Sequence, residues 1–241
     1  MNYALITGAS RGIGKGIALA LAKAGYNLVL TCKTNIDALT SVANEARTYG
    51  STVHTYMGDI SNTKICENLF SYIKENNLSI DILINNAGIS YVGLLQDMTY
   101  EEWDNSISTN LSSIFYTCKH CIPEMIKKNS GKIINISSVW GNVGASCEVA
   151  YSATKGGVNS FTKALAKELA PSNIQVNAIA FGLIDTEMNN HLSAEDKEEI
   201  TNDIPAGRMG SIEDAGQMVL SMIASPNYMT GQIITMDGGW I

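Results

Sequence analysis

The chain has 241 residues and 45% hydrophobic side chains, enough to bury the core of one large α/β domain. Its 16 Lys and Arg side chains against 23 Asp and Glu give a formal net charge of −7. No basic run is longer than Lys127-Lys128, so the composition argues against a nucleic-acid partner.

The cysteines are odd in number and scattered, which argues against a disulfide framework and favours a reducing, cytoplasmic setting. They are Cys32, Cys66, Cys118, Cys121 and Cys147. Cys118 and Cys121 have the spacing of a metal-binding pair, but no second pair completes four ligands, and we expect no metal site. The sequence shows neither a signal peptide nor an apolar run of about 18 residues, so we expect no membrane partner.

Short apolar strands alternate with helical patterns along the chain. Strands are predicted at residues 3–7, 27–31, 52–57, 80–84, 132–136, 174–179 and 231–236. Helical patterns end at Ala24 after the first strand and then cover residues 36–49, 64–76, 101–128, 151–170 and 212–224. This alternation predicts βαβ units and a parallel sheet in a single α/β domain over residues 1–241.

A glycine-rich turn follows the first strand. Gly8, Gly12 and Gly14 lie between that strand and a helix, with Arg11 inside the turn. Glycines allow a tight turn and close backbone approach, and a helix N-terminus attracts a pyrophosphate. The turn therefore predicts a dinucleotide site, although a structural turn without a ligand has the same pattern.

The end of the second strand bears on the choice of cofactor. An acidic residue there binds the ribose 2′-hydroxyl of NAD, whereas a basic residue accommodates the 2′-phosphate of NADP. Lys33 occupies this region, and the first carboxylate is Asp37. Lys33 and Arg11 could together bind that phosphate, which predicts NADP(H) over NAD(H). The alternative is that Lys33 is only a solvated loop lysine.

Later strands bring further polar groups to the same edge of the sheet. Asp59 follows the third strand and could accept a hydrogen bond from the adenine amino group. Asn86, Ala87 and Gly88 follow the fourth, where a small backbone leaves room for the ribose. Because ligands of parallel sheets bind at the carboxyl ends of strands, we expect these residues to lie beside the glycine turn.

Three segments surround the predicted cleft. Residues 101–128 are predicted as a long helical region in which Asn110 favours local hydrogen bonding or a bend and Pro123 favours a kink or break late in the stretch. Residues 139–147 are predicted as a loop whose bulky side chains line the cleft. The polar stretch at about 186–210 is predicted to be a mobile helical lid.

Tyr151 and Lys155 form a candidate acid–base pair. Residues four apart on a helix share one face, and a nearby positive charge lowers the pKa of a phenol. Ser138, at the end of the fifth strand, could direct a substrate carbonyl towards that phenol. Taken alone, the pair could equally be an exposed tyrosine and lysine.

The sequence closely resembles the short-chain dehydrogenase/reductase family. The resemblance rests on Thr7 to Gly14, Asn85 to Gly88, Asn110, Ser138 and the Tyr151-x-x-x-Lys155 motif, in that order and spacing. It implies a single-domain, doubly wound Rossmann fold with a seven-stranded parallel sheet, helices on both faces and an NAD(P)-dependent oxidoreductase activity.

The resemblance also implies roles for individual residues. Tyr151 is then the proton donor to the carbonyl, Lys155 lowers its pKa and binds the nicotinamide ribose, Ser138 orients the substrate, and Asn110 holds a water for proton relay. The implied cofactor-binding residues are Gly8, Ser10, Arg11, Gly12, Ile13, Gly14, Lys33, Asp59, Ile60, Asn86, Ala87, Gly88, Tyr151, Lys155, Gly182, Ile184 and Thr186.

Within the family, the chain is most similar to bacterial 3-oxoacyl-acyl-carrier-protein reductases, which carry out a step of fatty acid biosynthesis. This similarity implies a 3-oxoacyl thioester substrate, a possible acyl carrier protein partner and a homotetramer. Two departures are Phe181-Gly182 in place of the usual Pro-Gly, and Ser172-Asn173 where a basic docking residue is common. The alternatives are another sugar, steroid or small alcohol or ketone, and a nucleotide-binding protein without catalysis.

Overall fold

A computed structural model describes residues 3–190 and 192–241 of the chain. Met1, Asn2 and His191 fall within the predicted domain and lid but lie outside the described residues.

One parallel sheet forms the centre of the molecule. The described part of the chain contributes seven strands in the order β3-β2-β1-β4-β5-β6-β7, and every paired neighbour is parallel. The strands are β1 Tyr3–Ile6, β2 Asn27–Cys32, β3 Val53–Met57, β4 Ile80–Asn85, β5 Gly131–Ser138, β6 Ile174–Phe181 and β7 Ile233–Met236. The predicted seven-stranded Rossmann fold is confirmed.

Helices connect consecutive strands and cover both faces of the sheet. They are α1 Gly12–Lys23, α2 Ile36–Thr48, α3 Thr63–Glu75, α4 Tyr100–Ile107, α5 Ser113–Lys128, α6 Trp140–Val143, α7 Val149–Leu169, α8 Ala194–Asp203 and α9 Ile212–Ala224. Most begin and end close to the predicted positions, because side-chain caps such as Asn35 before α2 and Asn62 before α3 satisfy the first free N–H groups.

The core consists of two apolar layers, one on each face. Along β1, Ala4 and Ile6 pack into the layer that contains α1, α2 and α9, whereas Leu5 packs into the layer with α3, α5 and α7. Successive strand side chains point to opposite faces, so a strand buried on both sides must be apolar throughout. This explains why the predicted strands are continuous apolar runs.

The strand order reverses between β1 and β4, which creates a crevice at their carboxyl ends. Asn86 closes one side of it: its backbone N–H donates to Thr7 Oγ1 at 3.0 Å, and its Nδ2 donates to the carbonyl oxygens of Thr7 at 2.9 Å and Gly8 at 3.0 Å. Ligands of doubly wound sheets bind at such a reversal.

Residues 101–128 are helical as predicted, but the break lies at Asn110 and not at Pro123. A π-helical turn over Ser108–Ser112 separates α4 from α5, while Pro123 lies inside α5, which continues to Lys128. The break lies at Asn110 because that side chain bonds to a distant part of the backbone.

Of the two other cleft segments, one contains more regular structure than predicted, and the other is helical in part, as predicted. The predicted loop at residues 139–147 includes the short helix α6. The predicted lid contains α8, none of whose residues is buried, and its base is joined by backbone bonds from Asp185 N to Gly210 O at 2.8 Å and from Gly210 N to Leu183 O at 2.9 Å. Its mobility stays a prediction.

All five thiols are free, and Cys147 alone among them is partly exposed. Within residues 3–190 and 192–241, no helix combines the length and the apolar character needed to cross a bilayer.

Candidate active site

The glycine turn packs tightly against the backbone that follows β4. Gly8 has a φ of +66°, and a Cβ atom there would lie 2.9 Å from Ala87 Cα. A Cβ atom on Gly14 would lie 2.2 Å from Gly8 O. Side chains cannot be accommodated at these two positions, so the glycines permit the close approach of β1, α1 and β4.

The start of α1 offers backbone donors at this crevice. Arg11 is its N-cap residue and makes no side-chain capping bond, and the first turn contains no acidic residue. An uncapped helix N-terminus has N–H groups and a partial positive charge available to an anion. Ser10 and Ile13 are partly exposed beside it, as a phosphate-binding turn requires.

Lys33 and Asp59, which were both predicted to contact the adenosine part of the cofactor, form an ion pair with each other. Lys33 Nζ lies 2.7 Å from Asp59 Oδ2, with the Lys33 side chain 63% exposed. Asp59 Oδ1 also accepts bonds from Ser61 N at 3.0 Å and Ser61 Oγ at 2.6 Å. Although its partial burial opposes ionisation, these partners together lower the pKa of the Asp59 carboxyl, which therefore stays ionised beside the exposed Arg11.

The other predicted cofactor-binding residues lie at the same carboxyl edge of the sheet, but they differ in whether side-chain or only backbone atoms are accessible to a ligand. Ile60 and Ile184 are buried in the core, so only their backbone atoms are available to a ligand. Thr186 reaches the glycine turn, because a Cβ atom on Gly12 would lie 3.4 Å from Thr186 Cγ2. Gly182 packs against Asp237.

Tyr151, Lys155 and Ser138 meet where β5 ends against α7. Ser138 is the last residue of β5, and its hydroxyl is close enough to Tyr151 to favour the ionised phenol and so to lower its pKa. Lys155 Nζ donates to Ile136 O at 2.8 Å and lies 5.4 Å from the centroid of the Tyr151 ring. The structure thus brings together a phenol, a hydroxyl and an ammonium group.

Asn110 joins this cluster through the π-helical turn. The side chain is completely buried; its Oδ1 accepts from Ile89 N at 2.8 Å, and its Nδ2 donates to Ile89 O at 2.8 Å and to Thr154 Oγ1 at 3.1 Å. The extra backbone residue of a π turn re-aims a side chain, and such turns are frequent at functional sites. Asn110 therefore fixes the segment after β4 to the helix that carries Tyr151.

The expected lowering of the Tyr151 pKa is wrong for this structure. Burial and the negative charge of Glu148 raise the pKa above the ordinary value of a phenol, and the hydroxyl of Ser138 opposes them. Lys155 directs its ammonium group to the Ile136 carbonyl instead of the phenolic oxygen. Helical spacing predicted that Tyr151 and Lys155 share one face of the helix, but it could not predict the groups that surround them in the fold.

Burial lowers the pKa of Lys155 to about 8. Desolvation penalises the charged form of a lysine, and the Ile136 carbonyl compensates for part of this cost. Lys155 is consequently cationic at pH 7 and loses its charge as the pH rises through about 8.

Gly88 lies close to the catalytic cluster. A Cβ atom on Gly88 would lie 3.4 Å from Asn110 Oδ1 and 3.6 Å from Lys155 Nζ, so a larger residue would crowd the gap between the β4 turn and the cluster. Gly88 and the glycine turn both lie at the carboxyl ends of the strands. The residues present therefore fit a dinucleotide extended from Arg11 to Lys155.

Sequence reasoning missed several polar residues of the site. Thr7 accepts bonds from the backbone N–H groups of Asn86 and Ala87, each at 3.0 Å. Thr154 is fully buried and bonds to Asn110 and to Tyr151 O. Thr154 could have been found from the sequence, because it is a polar, β-branched residue one helical turn after Tyr151. Glu148 could not, because its contact with this site depends on the geometry of the loop before α7.

Known proteins resemble the chain along almost its full length. The family model described as short chain dehydrogenase matches residues 2–197. An uncharacterized oxidoreductase, YmfI of Bacillus subtilis, is 42% identical over 241 residues, covering 98% of both chains. The 3-oxoacyl-[acyl-carrier-protein] reductase FabG of Aquifex aeolicus is 40% identical, covering 99% of this chain and 96% of its own.

A second FabG, from Staphylococcus aureus, is 38% identical over 237 residues and covers 98% of this chain and 96% of its own. The crystal structure of YwfH, an NADPH-dependent reductase involved in bacilysin biosynthesis, superposes with a TM-score of 0.92 at 27% identity, covering 100% of this chain and 98% of that one. The chain therefore belongs to the short-chain dehydrogenase family, and it is an oxidoreductase for alcohols or ketones with a Rossmann fold that binds a nicotinamide cofactor.

Proposed function

We propose that the protein reduces the ketone of a 3-oxoacyl thioester to a secondary alcohol, with NADPH as the reductant. The similarity to two 3-oxoacyl-[acyl-carrier-protein] reductases over nearly the whole chain supports this substrate class. The arrangement of Ser138, Tyr151 and Lys155 at the carboxyl edge of β5 is the observation that carries the reaction type.

In this proposal the chain supplies placement and a proton. Ser138 donates a hydrogen bond to the substrate carbonyl, and Tyr151 transfers its phenolic proton to the same oxygen. The raised pKa keeps Tyr151 protonated at neutral pH, which is the form that a reductase needs. When bound, the nicotinamide cofactor supplies the hydride.

Lys155 and Asn110 complete the arrangement. Lys155 places a positive charge 5.4 Å from the ring centroid of Tyr151, where it stabilises negative charge that develops on the phenol as the proton leaves. It also binds the ribose of the cofactor in the space beside Gly88. Asn110 keeps the β4 turn at its fixed distance from α7 and holds the water that replenishes the proton.

The choice of NADPH rests on Lys33 and Arg11. Lys33 is 63% exposed at the end of β2, and its one ion pair in the described chain is with Asp59. Arg11 is exposed at the glycine turn and makes no ion pair within residues 3–190 and 192–241. Two cations at this edge favour a 2′-phosphate, since guanidinium and ammonium groups are strong phosphate donors.

Reduction of a small ketone without a carrier protein is the second candidate. An acyl carrier protein needs a basic docking surface, but Lys127 pairs with Glu124 and Lys128 pairs with Asp81. These ion pairs leave little positive potential on the surface around Lys127 and Lys128, where an acyl carrier protein would dock. The net charge of −7 also repels an acidic protein. Rates with an acyl-carrier-protein thioester and with its pantetheine fragment separate the two candidates.

The proposal includes a homotetramer in the cytoplasm. Apolar side chains on α4 and α5 remain exposed in the monomer, including Tyr100, Trp103 and Phe115. Exposed apolar patches of this kind are typical of subunit interfaces. Free thiols throughout the chain fit a reducing compartment.

Replacement of the proposed proton donor tests the function. We expect Tyr151→Phe to lower kcat for ketone reduction more than about a hundredfold, because general acid catalysis contributes about 10²–10⁴-fold. The cofactor dissociation constant, measured by NADPH fluorescence, should change less than about threefold, since the ring and Lys155 remain.

The matched control is Tyr228→Phe, which removes the same hydroxyl from a fully exposed side chain. It should keep the wild-type kcat. A Tyr151→Phe enzyme that turns over at nearly the wild-type rate would contradict the assigned role.

A further inference from the structure

Glu148 is a carboxylate at the edge of the proposed carbonyl site. It is the N-cap residue of α7, three positions before Tyr151, and its carbonyl oxygen accepts from Ser152 N at 2.8 Å. Its side chain does not cap the helix; instead Oε2 accepts from Ser90 Oγ at 2.7 Å. Ser90 lies two residues after Gly88, where a Cβ atom would be 3.6 Å from Lys155 Nζ, so the carboxylate is held at the rim of the catalytic cluster.

The loop that carries Glu148 is attached to the segment after β4. Gly93 N donates to Cys147 O at 2.8 Å, next to the bond between Ser90 and Glu148. Asn110 holds Ile89 in the same segment through two bonds of 2.8 Å. Residues 89–93 and 147–148 therefore form one wall beside Tyr151, in which the carboxylate has a fixed position.

The negative charge of Glu148 acts on the phenol. It contributes to the raised pKa of Tyr151, second to burial. The other charged residues on the elements packed against α7, or further along α7 itself, have no comparable effect on Tyr151; they are Glu101, Glu102, Asp104, Lys132, Lys163, Lys167 and Glu168. Lys155 is the only cation beside the ring in the described chain.

A substrate ketone must bind within hydrogen-bonding distance of Tyr151. In a free 3-oxo acid a carboxylate lies two bonds from that ketone, and it enters the field of Glu148. Two negative charges close together in a partly buried site repel each other, and we expect this repulsion to lower binding about tenfold. In an ester or thioester the same position is neutral and experiences no such repulsion.

We propose that Glu148, held by Ser90, is a specificity-determining residue that excludes oxo acids with a free carboxylate and admits their esters and thioesters. The inference rests on the proposed ketone reduction and deepens it, because it explains how this site selects an activated acyl group over the hydrolysed acid.

Matched substrate pairs test the proposal with purified full-length enzyme. kcat/KM is measured with acetoacetate and ethyl acetoacetate, and with pyruvate and methyl pyruvate, for the wild type, Glu148→Gln, Glu148→Asp and Glu168→Gln. We expect Glu148→Gln to raise the acid-to-ester ratio about tenfold. Its amide oxygen still accepts from Ser90, so the wall is preserved. Glu148→Asp should retain the wild-type ratio.

Glu168→Gln makes the same change in net charge at an exposed site on α7, 20 residues after Glu148, and should leave the ratio unchanged. A second readout is alcohol oxidation against pH, which requires the ionised phenol. Its rising limb should move to lower pH in Glu148→Gln, since one source of the raised Tyr151 pKa is gone.

The outcomes separate this inference from the proposed function. An acid-to-ester ratio within twofold of wild type in Glu148→Gln, or a raised ratio without movement of the pH limb, overturns the inference. If wild type reduces methyl pyruvate but neither 3-oxo compound, the proposed substrate is wrong, and the pyruvate pair then decides the role of Glu148 by the same ratio.

Discussion

At the scale of single residues, the site is governed by competing electrostatic effects. Burial and Glu148 oppose ionisation of Tyr151 and the Ser138 hydroxyl favours it, with the result that the pKa of Tyr151 is raised. The ammonium group of Lys155 is directed to Ile136 O at 2.8 Å, so it does not bond to the phenol. Helical spacing predicted the pairing of Lys155 with Tyr151 but not the direction of the shift, because desolvation depends on the complete fold.

The proposed preference for NADPH also depends on single side chains. Lys33→Ala should lower kcat/KM for NADPH by about tenfold to a hundredfold, the value of one charged contact to a phosphate, about 1.5–3 kcal/mol. kcat/KM for NADH should change less than about threefold, because NADH lacks the 2′-phosphate. Steady-state kinetics with both cofactors measures the ratio.

Lys64→Ala is the matched control for Lys33→Ala. Lys64 is also an exposed lysine paired with a carboxylate, Glu67, but it lies on α3 outside the proposed cofactor site. Its removal should leave both kinetic constants at wild-type values. A wild-type enzyme that is faster with NADH, or a Lys33→Ala variant with an unchanged ratio, would show that Lys33 is only a solvated lysine.

At the scale of elements, the π-helical turn between α4 and α5 connects folding with the site. Asn110 lies in a helical sequence pattern, and Pro123 was the local signal for a break. The helix instead changes at Asn110, because three hydrogen bonds to Ile89 and Thr154 outweigh local preference. Such bonds join residues 21 and 44 positions apart, so no local sequence pattern contains them.

Asn110→Ala should destabilise the protein by about 2–4 kcal/mol. The substitution leaves the Ile89 N–H and carbonyl without their partner, and each unsatisfied buried polar group costs about 1–3 kcal/mol. For a chain of this size the melting temperature should fall by about 5–12 °C. Circular dichroism during heating measures the change, and ketone reduction should fall with it.

The control for Asn110→Ala is Asn44→Ala on α2. Asn44 accepts from Arg47 Nη1 at 2.8 Å, but the pair is exposed. Water can replace that bond, so the melting temperature should change by less than about 2 °C. An Asn110→Ala variant that melts within 1 °C of wild type would mean that the π-helical turn does not depend on this side chain.

At the scale of the whole molecule, the sheet was predictable and the cleft was predictable only in part. Apolar strands, glycine turns and capping residues are local signals that agree with the observed fold. The strand reversal then places Gly8, Asp59 and Gly88 at one edge without further information. The roles of Glu148 and Thr154 could not be assigned, because they follow from contacts between distant segments.

The surface of α4 and α5 predicts the assembly. Tyr100 is 95% exposed and Phe115 is 49% exposed, which is unfavourable for apolar side chains in water unless another subunit covers them.

Light scattering at micromolar concentration should give four times the 25.9 kDa chain mass. Phe115→Glu should lower that mass, because a charge cannot be buried unpaired. Tyr49→Glu, an equally exposed aromatic position at the end of α2, should not. A monomeric wild type would contradict the proposed tetramer.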